Sequence, residues 1–238
     1  MITPIRRLGL ACVALALTAA ACSSGPAHSA GGTTTTTAPA PSTTAAPSAA
    51  DQKTANAVVL SAADLPGSWA SGAVAANDDS GDVQTDSCLG IPDSDFDETA
   101  YAGSPTLTQN MIQVTSQTTV YTTDAVVAED LRGSTSPKVQ TCLSQLFRSE
   151  ISGLSDFKYT RAPLPSTAGS LQGFNFTGSF VTGQGSSATE ANIDQIGLTR
   201  GRVEVAIDII TQGTAIPAAL VAAATGAIAK DLDALPAS

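Results

Sequence analysis

Residues 174–180, Phe-Asn-Phe-Thr-Gly-Ser-Phe, decide the fold. Phe174, Phe176 and Phe180 fall on one side of an extended chain, and Asn175, Thr177 and Ser179 on the other. That is the period of a half-buried antiparallel strand. Downstream, residues 190–200 read as the next strand, and Arg200-Gly201-Arg202 as a tight turn. Val203, Val205, Ile207 and Ile209 then share one face of another strand. Residues 214–217 open a last helix, with Ile216, Leu220, Ala224, Ile228, Leu232 and Leu235 on one side.

Upstream, residues 111–122 are mostly Thr, Val, Ile and Gln, a strand composition. One face carries Ile112, Val114, Ser116, Thr118 and Val120. Asp124 can cap a short helix through Leu131. Ser136 is a candidate N-cap, with Pro137 at the first helical position. Val139, Cys142, Leu143, Leu146, Phe147, Glu150 and Ile151 then recur at helical spacing. Residues 57–65 read as a short helix or strand closed by Pro66-Gly67. The order strand, helices, several strands, helix predicts an α+β fold, an antiparallel sheet packed against helices in a single domain over residues 51–238.

The N-terminus predicts where this domain resides. Arg6 and Arg7 precede the uncharged, mostly apolar run of residues 8–21, and Ala19-Ala20-Ala21 leads into Cys22. This is the pattern of a secretory signal peptide over residues 1–21. The small residues before Cys22 resemble the bacterial lipobox, with Ala19 where Leu is usual. Cys22 is therefore expected to carry acyl chains such as palmitate, a membrane anchor that becomes stable with two or more chains. The run is too short to span a bilayer as a helix, which takes ~20 apolar residues. Residues 23–50 are Ser, Thr, Ala, Pro and Gly apart from His28. With Cys22 they read as a disordered tether, reaching about 30 Å as a flexible coil. Thr33 to Thr37 within it can carry O-linked sugar or stay bare.

Charge and residue inventory narrow the function. The net charge of −10 becomes −12 without Arg6 and Arg7, leaving 9 basic and 21 acidic residues. Such a chain gains nothing from phosphate contacts, which argues against nucleic acid as a partner. His28 is the single histidine, so no Ser-His-Asp or Cys-His set can form in the domain. Ser155-Asp156-Phe157-Lys158 matches S-x-x-K without the motifs that accompany it in penicillin-recognising enzymes. Asp93-Ser94-Asp95-Phe96-Asp97 spaces oxygens as a calcium loop does. It has Glu98 where an EF-hand needs Gly and Ser104 where it needs Glu, so it reads as part of a solvated acidic loop over residues 77–98. No metal site or cofactor is expected.

Cys88 and Cys142 are the pair left once Cys12 departs with the signal and Cys22 is acylated. In an exported protein they are expected to be bonded, stapling the acidic loop onto the helix that carries Leu146. Ser116 and Thr118 sit mid-strand among apolar neighbours. Either they line a pocket that opens toward that helix and Leu146, or their face is the solvent side, or their hydroxyls bond neighbouring backbone.

Several short motifs carry a family resemblance over residues 58–150. They are Asp64-Leu65-Pro66 with Trp69, Cys88-Leu89-Gly90, Tyr101-Ala102-Gly103-Ser104, Val120-Tyr121, Ala125 with Ala128, and Cys142. On these the chain resembles small secreted actinobacterial lipoproteins, and among them the extracellular sensor domain of mycobacterial PknH-type kinases. The resemblance implies a disulfide-stapled α+β domain with a cleft that binds a ligand. The expected function is a lipid-anchored, sensor-like extracytoplasmic module that binds a small molecule, a lipid or an envelope protein, without catalysis. The rival readings are an envelope hydrolase using carboxylates and a structural envelope component.

Overall fold

The computed structural model describes residues 48–74, 87–90, 98–150, 154–182 and 188–236. Cys22, the tether up to residue 47, Ile151 and most of the acidic loop, including Asp93, Asp95 and Asp97, lie outside the described residues. The fold is α+β, as the alternation predicts. Eight strands form one antiparallel sheet: β1 (Ala70–Val74), β2 (Glu98–Gly103), β3 (Pro105–Gln109), β4 (Ile112–Tyr121), β5 (Ser155–Arg161), β6 (Gln172–Thr182), β7 (Thr189–Arg200) and β8 (Val203–Gln212). Their order is β1-β3-β4-β8-β7-β6-β5, with β2 pairing β4 beside β3. β2 and β3 are one bent rail along β4. At the bend the Ser104 N–H donates to the Ser116 carbonyl, and the Ser116 N–H to the Ser104 hydroxyl, each at 2.8 Å.

The helices are α1 (Ala49–Ala57), α2 (Asp124–Ser134), α3 (Val139–Glu150) and α4 (Ala218–Asp233). Local chemistry sets their starts. Thr123, rather than Asp124, caps α2 by accepting from the Val126 N–H. Ser136 accepts from the Lys138 N–H at 3.3 Å in a turn through Pro137, and α3 begins two residues beyond that proline. Ser48 caps α1. The ordered domain therefore starts ahead of residue 51, and Ala49 and Ala50 are helical rather than tether.

The sheet separates two cores. On one face Val114, Val120, Ile196, Leu198, Val205, Ile207 and Ile209 meet Leu220, Ala224, Ile228 and Leu232 of α4, together with Val58 and Leu60. On the other, Phe174, Phe176, Phe180, Ile193, Ile210 and Tyr159 meet Val139, Leu143, Leu146 and Phe147 of α3. Rings run through this second core, with Tyr159 and Phe176 stacked at 5.2 Å and Phe147 at 5.1 Å from Phe157. Leu146 is 3% exposed within it. Leu146→Ala is expected to cost about 2–5 kcal/mol through lost burial and a residual cavity, read from urea unfolding. A loss under about 1 kcal/mol would mean that α3 does not pack as described.

α1 buries Ala55 in the α4-side core, and its Asp51 is held by charge. Both guanidinium ends of Arg202, in the β7–β8 turn, reach the Asp51 carboxylate. One of them also donates to the Tyr121 carbonyl at 3.0 Å and the Thr99 hydroxyl at 3.3 Å. The Arg202 hydrogen bond holds the Asp51 carboxyl down to about 2 against desolvation, which acts the other way. A depressed folded pKa gives stability that is full above the ordinary 3.8 and lost as pH falls through about 2. Solvent screens this pair, because the Arg202 side chain is 35% exposed. Arg202→Met is therefore expected to cost about 1–2 kcal/mol at neutral pH and to flatten the acid limb of the stability curve below pH ~4. An unchanged acid limb would contradict the clamp.

Candidate functional site

The three residues expected to line one pocket lie on opposite sides of the sheet. Ser116 and Thr118 pair with Ile207 and Val205 and face the α4 core, whereas Leu146 lies in the α3 core. The Ser116 hydroxyl accepts from the Leu60 N–H at 2.8 Å, and the Thr118 hydroxyl donates to the Val58 carbonyl at 2.6 Å. Both hydroxyls thus pin the strap after α1 onto the sheet. They satisfy buried backbone and line no cavity with Leu146.

The disulfide is as expected. Cys88 and Cys142 are bonded, with Cα atoms 5.7 Å apart. Cys142 is buried on α3, Cys88 is exposed, and Leu89 packs against the α3 core. The short segment 87–90 is thereby stapled over that core.

Beyond the aromatic cluster the α3-side face turns polar. Glu204 and Asp208 of β8 are buried, as are Gln195 and Thr199 of β7, Thr119 of β4, and Asp130 and Ser134 of α2. The Tyr159 hydroxyl donates to the Gln195 side-chain oxygen at 2.5 Å. Desolvation, aided by Asp208 and Asp194, pushes that phenol well above its ordinary range and keeps it a donor. Sequence reasoning missed Glu204 and Asp208 because alternation marks even positions of β8 as solvent-facing. In the structure β8 is central and covered on both faces. Four residues apart on one strand, the two have Cα atoms ~13 Å apart, wider than the about 5–9.5 Å between paired carboxyls that cleave glycosides. Ser155 and Lys158 of the S-x-x-K match lie on edge strand β5, both exposed, with an irregularity of register between them. That is no nucleophile and base.

A shallow cavity of about 100 Å³ opens on the same α3-side face. Cross-strand neighbours Thr108, Gln113 and Ile210 contribute to it, with Gln212 and the β3–β4 turn residues Asn110 and Met111. Ile210 joins it to the α3 core. Asn110 takes a left-handed φ of 54°, which turns the chain tightly, and Met111 is 56% exposed. The walls hold three amides, a hydroxyl, a thioether and the branched side chain of Ile210, with no charge. The cavity and the α1 clamp mark opposite ends of β8, from Arg202 to Gln212, or ~33 Å of strand. A pocket beside α3 was expected, but this one is built from β3, β4 and β8. The sequence signal that would have found it is the Gln-Asn-Met-Ile turn between two strands, flanked by amides.

Among the described residues no group of three or more His, Cys, Asp and Glu is placed to hold a metal, and no helix is long and apolar enough to cross a membrane. No family model matches the chain, and no curated protein does. Among solved structures it is similar to the extracellular domain of PknH from Mycobacterium tuberculosis. The identity is 13% over 78% of this chain and 97% of that one, with a TM-score of 0.39.

Proposed function

We propose that the chain is a lipid-anchored, extracytoplasmic binding module that captures a ligand or envelope partner and carries out no catalysis. The observation that carries this reading is the uncharged cavity at Thr108, Asn110, Met111, Gln113, Ile210 and Gln212. Small-molecule sites combine an apolar floor with a few polar groups that fix orientation; this cavity has both, at about 100 Å³ against roughly 300 Å³ or more for a whole ligand, so it takes one group of a larger molecule. The Cys88–Cys142 bond supports the compartment, since disulfides persist where the surroundings are oxidising. The signal-like start and Cys22 support the anchor. The single histidine, His28, lies in the tether, which favours binding over nucleophilic catalysis.

Two measurements test this. Cys22→Ala is expected to move the protein from the membrane to the soluble or secreted fraction; retention in membranes with unchanged mass would sink the anchor. The purified protein, incubated with a detergent extract of host envelope and recovered, is expected to carry a bound species detectable by mass spectrometry. Thr108→Trp, which fills the cavity, is expected to lose that species while melting as the wild type does. Equal recovery by both proteins would remove the cavity from the account, and hydrolysis products in the extract would point to the carboxylate enzyme instead.

A further inference from the structure

We propose that strand β1 is an interaction edge whose occupant is β1 of a second copy of this chain, paired antiparallel about a two-fold axis. All five residues of Ala70–Val74 are exposed. Among the described residues β1 pairs with β3 on one side and with no strand on the other. A strand so placed offers a row of backbone N–H and C=O groups to any further strand. The other edges of the sheet are closed. α1 lies against β2, where the Gln52 side chain donates to the Tyr101 carbonyl at 2.7 Å. β5 exposes Asp156, Lys158 and Arg161, has a left-handed φ of 49° at Asp156, and shifts register between Ser155 and Lys158. Charge and irregular backbone keep a strand edge from pairing. β1 also shifts register after Ser71, but it carries no charge and no proline.

The surroundings of β1 are neutral in a chain whose net charge is −10. No charged residue falls between Asp64 and Asp78 or between Glu98 and Asp124, the stretches that hold β1, β3 and β4. Val74 and Met111 are the exposed large hydrophobic side chains among the described residues, each 56% exposed, and both lie in these stretches. Apolar side chains and open backbone therefore coincide on a neutral part of an acidic surface.

Charge and symmetry select the occupant. Two acidic copies repel each other over most of their surface, and a neutral edge is where they can meet. Pairing of β1 with β5 of the next copy is blocked at β5. The pairing that remains uses the same patch twice, and so closes as a dimer. A two-fold axis at Gly72 sets Val74 of one copy opposite Ala70 of the other, beside Thr108 of its cavity wall. Gly72 has no side chain to hold the two backbones apart. A foreign segment drawn to so acidic a chain would bring basic residues, and β1 has no carboxylate to receive them.

The test is sedimentation velocity of the full-length protein in mild detergent, from about 1 to about 100 μM, a range that populates weak association. A dimer that grows with concentration is expected. Hydrogen exchange at residues 70–74 is expected to slow as it forms, because newly paired amides are protected. The same axis sets Ser71 opposite Ala73 of the other copy. Ser71→Lys with Ala73→Lys, and Ser71→Glu with Ala73→Glu, are each expected to weaken the dimer about tenfold or more, because like charges then face each other. Ser71→Lys with Ala73→Glu makes two opposite-charge pairs and keeps the dimer. Val74→Glu, a single exposed change, gives the loss if a double variant fails to fold. A monomer at every concentration, a dimer with unchanged exchange at 70–74, or a dimer indifferent to Val74→Glu and to both like-charge variants would each overturn the proposal. Opposite responses to the two like-charge variants would overturn it in favour of a charged segment of another protein.

Discussion

Gly173→Ala is expected to destabilise the domain by about 3 kcal/mol or more, at the upper end of what overpacking costs. Gly173 lies in β6 opposite Leu198 of β7. A Cβ at Gly173 would stand 1.9 Å from the Gly197 carbonyl oxygen, a backbone atom of the paired strand. Backbone cannot rotate away as a side chain can, so the β6–β7 ladder must open to admit the methyl group. Gly197 makes the comparison. Its added Cβ would meet the Phe174 ring at 2.3 Å, and a ring can shift at the expense of its packing. Gly197→Ala is thus the milder change of the two. Urea unfolding of both variants checks this; a Gly173→Ala protein within about 1 kcal/mol of wild type would show that the two strands are not this close.

Loss of the disulfide has the other large effect. Cys88 and Cys142 are 54 residues apart in sequence. Closing a loop of that length removes about 4 kcal/mol worth of chain entropy from the unfolded state. Replacing both cysteines by Ser is expected to lower stability by about that amount, because the unfolded chain regains the freedom that the bond removes. Reductant is expected to lower the wild type to the same level and leave the double variant unchanged. A wild type indifferent to reductant would contradict the bond.

The fold was largely legible because its strands obey simple alternation. Phe174, Phe176 and Phe180, and the set from Val203 to Ile209, face single cores as their period requires. α4 follows its apolar stripe. The disulfide was legible from cysteine arithmetic alone. What sequence could not supply is which face each helix covers. The α3 stripe and the Ser116/Thr118 face are each compatible with either side of a sheet, and the structure puts them on opposite sides. Ser116 and Thr118 also depend on a strap 56 and 60 residues away, which no local pattern encodes. The start of α1 falls in the stretch that reads as tether, because its Ala, Gln, Lys and Thr composition has little apolar character. Its helix is fixed by the Ser48 cap and by Arg202, 151 residues along the chain from Asp51. Glu204 and Asp208 were hidden for a related reason: polar residues at alternate positions signal solvent on an outer strand but not on a central one.

The central claim, a lipid-anchored module that captures a ligand, is tested most directly by native mass spectrometry of the protein released from its host membrane in mild detergent. The account predicts a chain beginning at Cys22, heavier than its sequence by acyl groups, with a further non-covalent species that leaves on activation. A chain of unmodified mass with nothing bound would contradict it.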